Sequence, residues 1–566
     1  MFATVMDEID ADSLWRLMSQ MAVGERISGA PEESDALTFA AGYLADAGLT
    51  VRRYEYRSLI GFPARATLRV TSPEVTEIPC TSYSLAPGTP EGGLTAELAL
   101  VEGGTAGFEG ARLGSRIALC EGIGTAARTM AADRSEALAV ISIDEERVHE
   151  MCVSPVRGTP TTHTSDLLPR LPQVGISRAD GARLRELLGR GPVTVHLEAQ
   201  PVLEWRTIPV LVGDVSAPGA DEFVLLSGHV DSWYEGAHDN ATGNAAVLAI
   251  GALMQKHAAD LRRGVRVALW SGHSHGRYSG STWYADDQWD DLYRRCVAHV
   301  EIDSIGGAGA EIVGRAPTMA ETYEFGREVV AASTGVELEY ERVEQAGDMP
   351  SFWGMGVPSL FGNFSFQPQT PESETGPVGI YGWWWHRPED TPDKVDRDFL
   401  LRDTRVHVLA MWELCTRELL PFRYSAAARE IRGAIDEVSG SADPALELGV
   451  LIGICDELVE RLDVLEERLG SLGSDEELSA ANAALRQLGR HLVPVNYKGT
   501  SSWEHDLALP ADAVPGLGSI ARLAAWPQGR EGREYALVEA FRQRNRLTTE
   551  LRAAVEVVER ALAVIA

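Results

Sequence analysis

Three stretches of this chain end alike. "EFVLLSGHVDS", "GVRVALWSGHS" and "CVAHVEIDSIGG" each run through apolar residues without alternation and stop in polar, metal-capable side chains. Strands that do not alternate must be covered on both faces, as in a mostly parallel sheet wrapped by helices. The helix-like "NATGNAAVLAIGALMQKH" follows the first of them, and the order strand, glycine-rich turn, helix recurs over residues 203–422. Such a chain gathers its polar strand ends along one sheet edge, where ligands bind in open α/β folds.

The remainder reads as additions to that α/β unit, since 566 residues are too many for one core. Residues 1–58 read as helix, helix, strand, from "DADSLWRLMSQMA", "ESDALTFAAGYLADAG" and "LTVRRYEYRS". Over 59–202, short β-type runs such as "RIALCEG", "ALAVISID" and "VTVHLEAQ" alternate with Gly- and Pro-rich turns, which predicts an inserted β-rich domain with few helices. Residues 423–566 predict four helices and one irregular loop, "VPVNYKGTSSWEHDLALPADAVPGLGS".

A formal net charge of −32 argues against nucleic acid and anionic membrane as partners, since both would repel it. No run is apolar enough to span a bilayer, and "MFATVMDEIDADSLWRLMSQMA" is acidic where a secretory signal needs a basic patch. Cys80, Cys120, Cys152, Cys296, Cys415 and Cys455 lie scattered without C-x-x-C spacing, which predicts reduced thiols and a cytoplasmic protein.

His229 and Asp231 close the first strand, His273 and His275 the second, and Asp303 the third. Asp239 stands in "GAHDNATG" at the start of the helix that follows the first strand, and His386 follows "YGWWW". A lone histidine is usually a satisfied structural residue, and an aspartate at a helix start is often its N-cap. Converging on one sheet edge, imidazoles and carboxylates form the donor mix that suits zinc, or manganese where oxygens dominate.

Here the chain resembles a family. "SGHVDSWYEGAHDNATG", "HVEIDSIGG", "AGDMPSFWGMGVPS" and "WWWHRPEDTPDKVD" are similar to motifs of the co-catalytic zinc peptidases, which include leucyl aminopeptidases and glutamate carboxypeptidase II. The layout most resembles the glutamate carboxypeptidase II and transferrin receptor branch, with "ELLPFRYSAAAREIRGAIDEV" at the passage into its helical domain. The resemblance implies a catalytic domain in two parts, 1–58 and 203–422. It also implies a protease-associated domain over 59–202 and a helical dimerisation-like domain over 423–566. His229 would hold one metal, His386 a second, Asp239 would bridge both, and Asp303 would complete the ligands of the first. Asp231 would orient the ligand imidazole. The implied cofactor is one or two divalent ions, zinc foremost, with manganese, cobalt or iron able to replace it.

The family keeps two adjacent glutamates, a general base and a metal ligand, where this chain aligns His273 and Ser274. Glu301 and Glu344 do not fall at those positions. In one reading His273 is the base and His275 supplies the lost metal bond, since imidazole can do both and makes the site more positive by about one charge. In a second, only the ion at His229, Asp239 and Asp303 is tightly bound. In a third, the chain is a catalytically inactive dimeric binding or scaffold protein. Keeping the ligands while losing the acid pair favours altered chemistry: hydrolysis of an amide or peptide bond by metal-activated water.

Ser274, Ser279 and Ser281 lack a G-x-S-x-G elbow and read as turn serines. Arg277 could grip a substrate carboxylate or pair with a local acid. Three tryptophans in a row cannot share one strand face, so at least one meets the cleft, with Trp385 the candidate and Trp353 near the "GDMPS" segment. By resemblance, Tyr497 and Lys498 in "VNYKGTSSWEHD" correspond to a loop that binds a terminal carboxylate. The expected partners are a small peptide or amide substrate and a second copy of the chain.

Overall fold

The computed structural model describes residues 5–368, 380–527 and 529–565. Its centre is a large mixed sheet in which Cys296–Glu301, Phe223–His229 and Gly264–Trp270 lie side by side and parallel. Every residue of these three strands is buried. The lack of alternation follows from packing on both sides: Val224 and Leu226 enter one core, Phe223 and Leu225 another. Helices Ala11–Met21, Gly243–Lys256 and Arg397–Thr416 cover the first face. The chain is an α/β protein with all three polar strand ends at one edge.

Strands Thr50–Ser72 and Thr194–Val215 pair antiparallel from Thr50 opposite Asp214 to Ser72 opposite Thr194. They run unbroken across residues 58–59 and 202–203, so a two-stranded ribbon, not a loop linker, joins the inserted region to the central sheet. That region has its own core of Leu68, Leu119, Ile141, Val174 and Leu197. Strands dominate it and its α-helices are few. Leu94–Val101, Ile117–Glu121, Ala139–Ile143 and Gln173–Ile176 form a parallel run, with helices Ala126–Asp133 and Arg178–Arg190 beside it. Arg178–Arg190 buries only Gly181, Leu184 and Leu187 in a mostly charged segment, a weak helical signal in the sequence.

Helices Tyr424–Ser439, Gly449–Leu469, Asp475–Tyr497 and Arg533–Leu562 correspond to the four expected, and a short Gly518–Ala524 lies between the last two. Their buried Ile431, Leu458, Leu488 and Leu551 belong to the same core as Val224 of the central sheet. Among the described residues no helix is long and apolar enough to cross a membrane, and all six cysteines are free thiols.

Candidate active site

Asp239 sits in a wide turn, Ala237–Thr242, with φ −110° and ψ 90°, outside helical space, and its peptide bond to Asn240 is cis. Asp390 accepts the backbone N–H groups of His238 at 2.8 Å and Asp239 at 3.0 Å. Asn240 ties the turn to the neighbouring strand end, accepting from Gly243 and Ser304 and donating to the Ile302 carbonyl. A Cβ on Gly243 would lie 2.1 Å from Asn240 Oδ1, so glycine is required there. With the turn satisfied by others, the Asp239 side chain caps nothing. Its Oδ1 lies 3.0 Å from His229 Nε2 and its Oδ2 lies 3.1 Å from His386 Nε2.

Three imidazoles face this region in the same manner, each with Nδ1–H donated to an oxygen behind it. His229 donates to the Asp231 carbonyl at 2.9 Å, His386 to the Glu150 carbonyl at 2.6 Å, and His273 to the Asp348 carboxylate at 2.8 Å. Those partners fix the tautomer and present Nε2, the pattern of imidazoles that serve metals or move protons. His229 and His273 stack at 3.9 Å, and Asp303 Oδ1 is 3.4 Å from His229 Nε2. His229, His273 and Asp303 are close enough to share an ion. No third His, Cys, Asp or Glu donor joins His386 and Asp239 among the described residues.

The donors fit a divalent cation. His229 Nε2 is buried and, although beside two carboxylates, is not aligned to hydrogen-bond either. Burial alone would lower the His229 pKa, but Asp303 and Asp239 outweigh it and hold the ring well above its usual value. Burial would likewise raise the Asp239 carboxyl, yet His229 and His386 hold it well below the carboxylate range. The buried Asp239 and the half-buried Asp303 thus draw positive charge to one point, which zinc and similar ions supply with N and O donors.

Several expected residues stand elsewhere or act differently. His275 is fully buried, its Nδ1 at 3.0 Å from Ser28 Oγ and 3.2 Å from Asp231 Oδ2, its ring edge-on to Trp233. It does not reach the Asp239 cluster, so the expected metal bond from His275 is withdrawn. Asp231 holds His229 through its carbonyl; its carboxylate, 3.9 Å from the ring, instead accepts the backbone N–H groups of His273, Ser274 and His275. Tyr497 is buried against Trp353 with its hydroxyl between the Ala320 N–H and Glu321, and Lys498 is buried donating to the Glu504 carbonyl. Neither lines the cavity, so both are removed from the substrate residues. Trp353 packs with Tyr497. Ser281 donates to the Asp348 carboxylate and Ser279 meets Tyr56, both from the first turn of helix Ser279–Asp287 and not from a turn as expected.

Above the strand ends lies a cavity of about 420 Å³. Arg277 and Trp385 line it with Asp239, His273, Asp303 and His386. Trp385 stacks on His386 and on Tyr381, Trp384 is buried, and Trp383 is exposed. The tryptophans divide by facing, but on a turn, not a strand.

Asp348, Asp390 and Glu150 escaped sequence reasoning, and Glu301 is set aside there because it stands outside the family's acid positions. Glu301 ends its strand at the cavity, accepts backbone N–H groups of Asp348 and Met349, and is pushed up to about 8 by burial and by Asp348 and Asp303. Asp348 lies within the quoted "AGDMPS", but only its contact with His273, 75 residues away, gives it meaning.

Residues 211–410 match the model of peptidase family M28. Over this segment the chain is similar to peptidase family M28. The M28 segment contains His229, Asp239, Asp303, His386 and both loop histidines. The probable glutamate carboxypeptidase VP8 of Zea mays is 24% identical over 50% of this chain and 41% of its own length. The chain spans about half or less of the length of the curated relatives it matches. Among solved structures, the peptidase M28 precursor of Shewanella amazonensis SB2B is 20% identical with a TM-score of 0.59, over 74% of this chain and 97% of that one. An aminopeptidase from Aneurinibacillus sp. strain AM-1 is 21% identical with a TM-score of 0.56, over 73% and 96%. These likenesses establish the M28 fold.

Proposed function

We propose that this chain is a metal-dependent hydrolase that cleaves a peptide or amide bond with water. The observation that carries the reading is the Asp239 carboxylate set between His229 and His386, one oxygen to each. His229, Asp239 and Asp303 would hold one ion; Asp239 and His386 would hold a second with fewer protein donors. A bound zinc ion, or manganese, cobalt or iron in its place, supplies Lewis acidity that polarises a carbonyl and acidifies water.

The chain's own groups do the rest. His273 takes the proton of the attacking water on Nε2 and passes it to the leaving nitrogen, and Asp348 on Nδ1 keeps the ring in one orientation for both transfers. Trp385 and Tyr381 form an aromatic wall for an apolar substrate portion. Arg277 donates only to the Ala508 carbonyl, with no carboxylate paired to it among the described residues, and suits an anionic substrate group. The peptidase names of the similar proteins support a small peptide or amide as substrate. We extend the reading to a protease-associated role for the inserted region and a reducing, cytoplasmic setting for the six free thiols. Pairing of two copies through the helical part is supported by exposed Val450, Val464, Tyr535 and Val538.

One observation favours a second reading, a non-catalytic binding protein: Ser274 offers no carboxylate where the family keeps its second acid. Metal-supplemented assays on free, N-blocked and aromatic peptide amides separate the two. Turnover by the wild-type chain, lowered about 10²–10⁴-fold in His273→Gln, is expected. Equal rates in both proteins would remove His273 from the mechanism, and no turnover on any substrate would favour the binding protein.

A further inference from the structure

The two imidazoles on either side of Asp239 are held by different parts of the molecule. His229 is fixed from its own strand end, by the Asp231 carbonyl. His386 is fixed from the inserted region: its Nδ1–H donates to the Glu150 carbonyl at 2.6 Å, and the Glu150 N–H donates to the His386 carbonyl at 3.0 Å. His386 also lies at φ +57°, a left-handed conformation that a non-glycine residue keeps only where its surroundings impose it.

Those surroundings are built around Arg387. Its guanidinium is 3% exposed and enters segment 144–150 of the inserted region, donating to Glu145 Oε2 at 3.2 Å and the Arg147 carbonyl at 2.9 Å. Back on its own loop it donates to the Trp383 carbonyl at 2.7 Å. Asp144 and His149 pair beneath it at 2.8 Å, and Arg147 forms an ion pair with Glu389. Tyr234, five residues beyond His229, donates to Glu150 Oε1 at 2.8 Å and closes the ring of contacts.

We infer that Arg387 is a positioning residue that docks the inserted region onto the His386 loop, so that metal binding at His386 is coupled to that docking. The inference rests on the proposed metal-binding function. His386 and Asp239 have no third His, Cys, Asp or Glu donor among the described residues, so orientation of His386 weighs heavily at that position. Coupling is reciprocal: an ion at His386 tightens the inserted region, and a docked inserted region tightens the ion. His229 itself is held from its own strand end, by the Asp231 carbonyl.

The test is zinc titration of the full chain by calorimetry and by mass spectrometry under native conditions, with hydrogen exchange of segment 144–150. Arg387→Met is compared with Arg128→Met. Arg128 is a buried arginine of the inserted region that binds the carbonyls of Glu121, Gly122 and Ile123 and does not touch the His386 loop. The wild-type chain and Arg128→Met should bind two ions. Arg387→Met should keep the tighter ion and bind the second at least about tenfold more weakly. Zinc should slow exchange over 144–150 in the wild type and not in Arg387→Met. Two ions bound equally well by Arg387→Met, the same loss in Arg128→Met, or a wild type that takes up a single ion would each overturn the coupling. A wild type that binds no divalent metal would instead overturn the hydrolase reading beneath it.

Discussion

His273 and His275 stand two residues apart and face different surroundings. Gly272, Arg277 and Tyr278 all have positive φ, and the loop closes through Tyr278 N–H to the His273 carbonyl and Ser279 N–H to the Gly272 carbonyl. Inside that loop the Asp231 carboxylate collects three successive backbone N–H groups, which turns His275 into the core and His273 into the cavity. His275→Ala should therefore keep its metal and lose about 1–3 kcal/mol of stability, since Asp231 and Ser28 lose a buried partner; urea unfolding with metal analysis of the same sample checks both. Asp348→Asn should lower kcat about 10–100-fold with KM and metal content nearly unchanged. A change in KM alone would mean that Asp348 serves substrate binding instead. At this scale strand ends bring His229 and Asp303 to one edge, while the ligand roles of Asp239 and His386 come from the family resemblance. The sequence could not choose between two histidines whose facing depends on three unusual backbone angles, nor pair His273 with Asp348 across 75 residues.

Elements were legible where periodicity was strong. The three buried strands and four long C-terminal helices announce themselves by unbroken apolar runs and helical spacing. Helix Arg178–Arg190 does not, because few of its residues are buried, and the expected boundaries at 58–59 and 202–203 fall within two long strands whose pairing does not stop there. The end of helix Asp475–Tyr497 shows what the misread Tyr497 does: it donates to Glu321 in the turn before helix Tyr323–Thr334 and so ties the helical part to that turn. Burial first, and then Glu430, push the Glu321 carboxyl from 4.5 up to about 7. A carboxyl raised in the folded state holds its proton longer than in the unfolded chain. Its contribution to stability is complete below about pH 4.5 and is lost as pH rises through about 7. Glu321→Gln should remove that dependence. The urea midpoint of the wild type should fall further between pH 5 and pH 8 than that of the variant, and parallel profiles would assign the slope to other groups.

At the scale of the molecule, no single part makes the site. Ile123 and Met151 of the inserted region, His273 and Asp303 of the M28 segment, and Ala508–Pro510 of the helical part meet around one cavity. The strongly negative chain sets this arrangement in a field that favours cations, and carboxylate and imidazole converge at Asp239, between His229 and His386. Bound metal per chain tests that convergence most directly, read by elemental mass spectrometry after dialysis for the wild type and Asp239→Asn. The account predicts about one to two equivalents of zinc or a similar ion in the wild type, and loss of most of it in Asp239→Asn while the circular dichroism stays the same. A wild type free of divalent metal after zinc supplementation, or an Asp239→Asn variant that keeps its full complement, would contradict it.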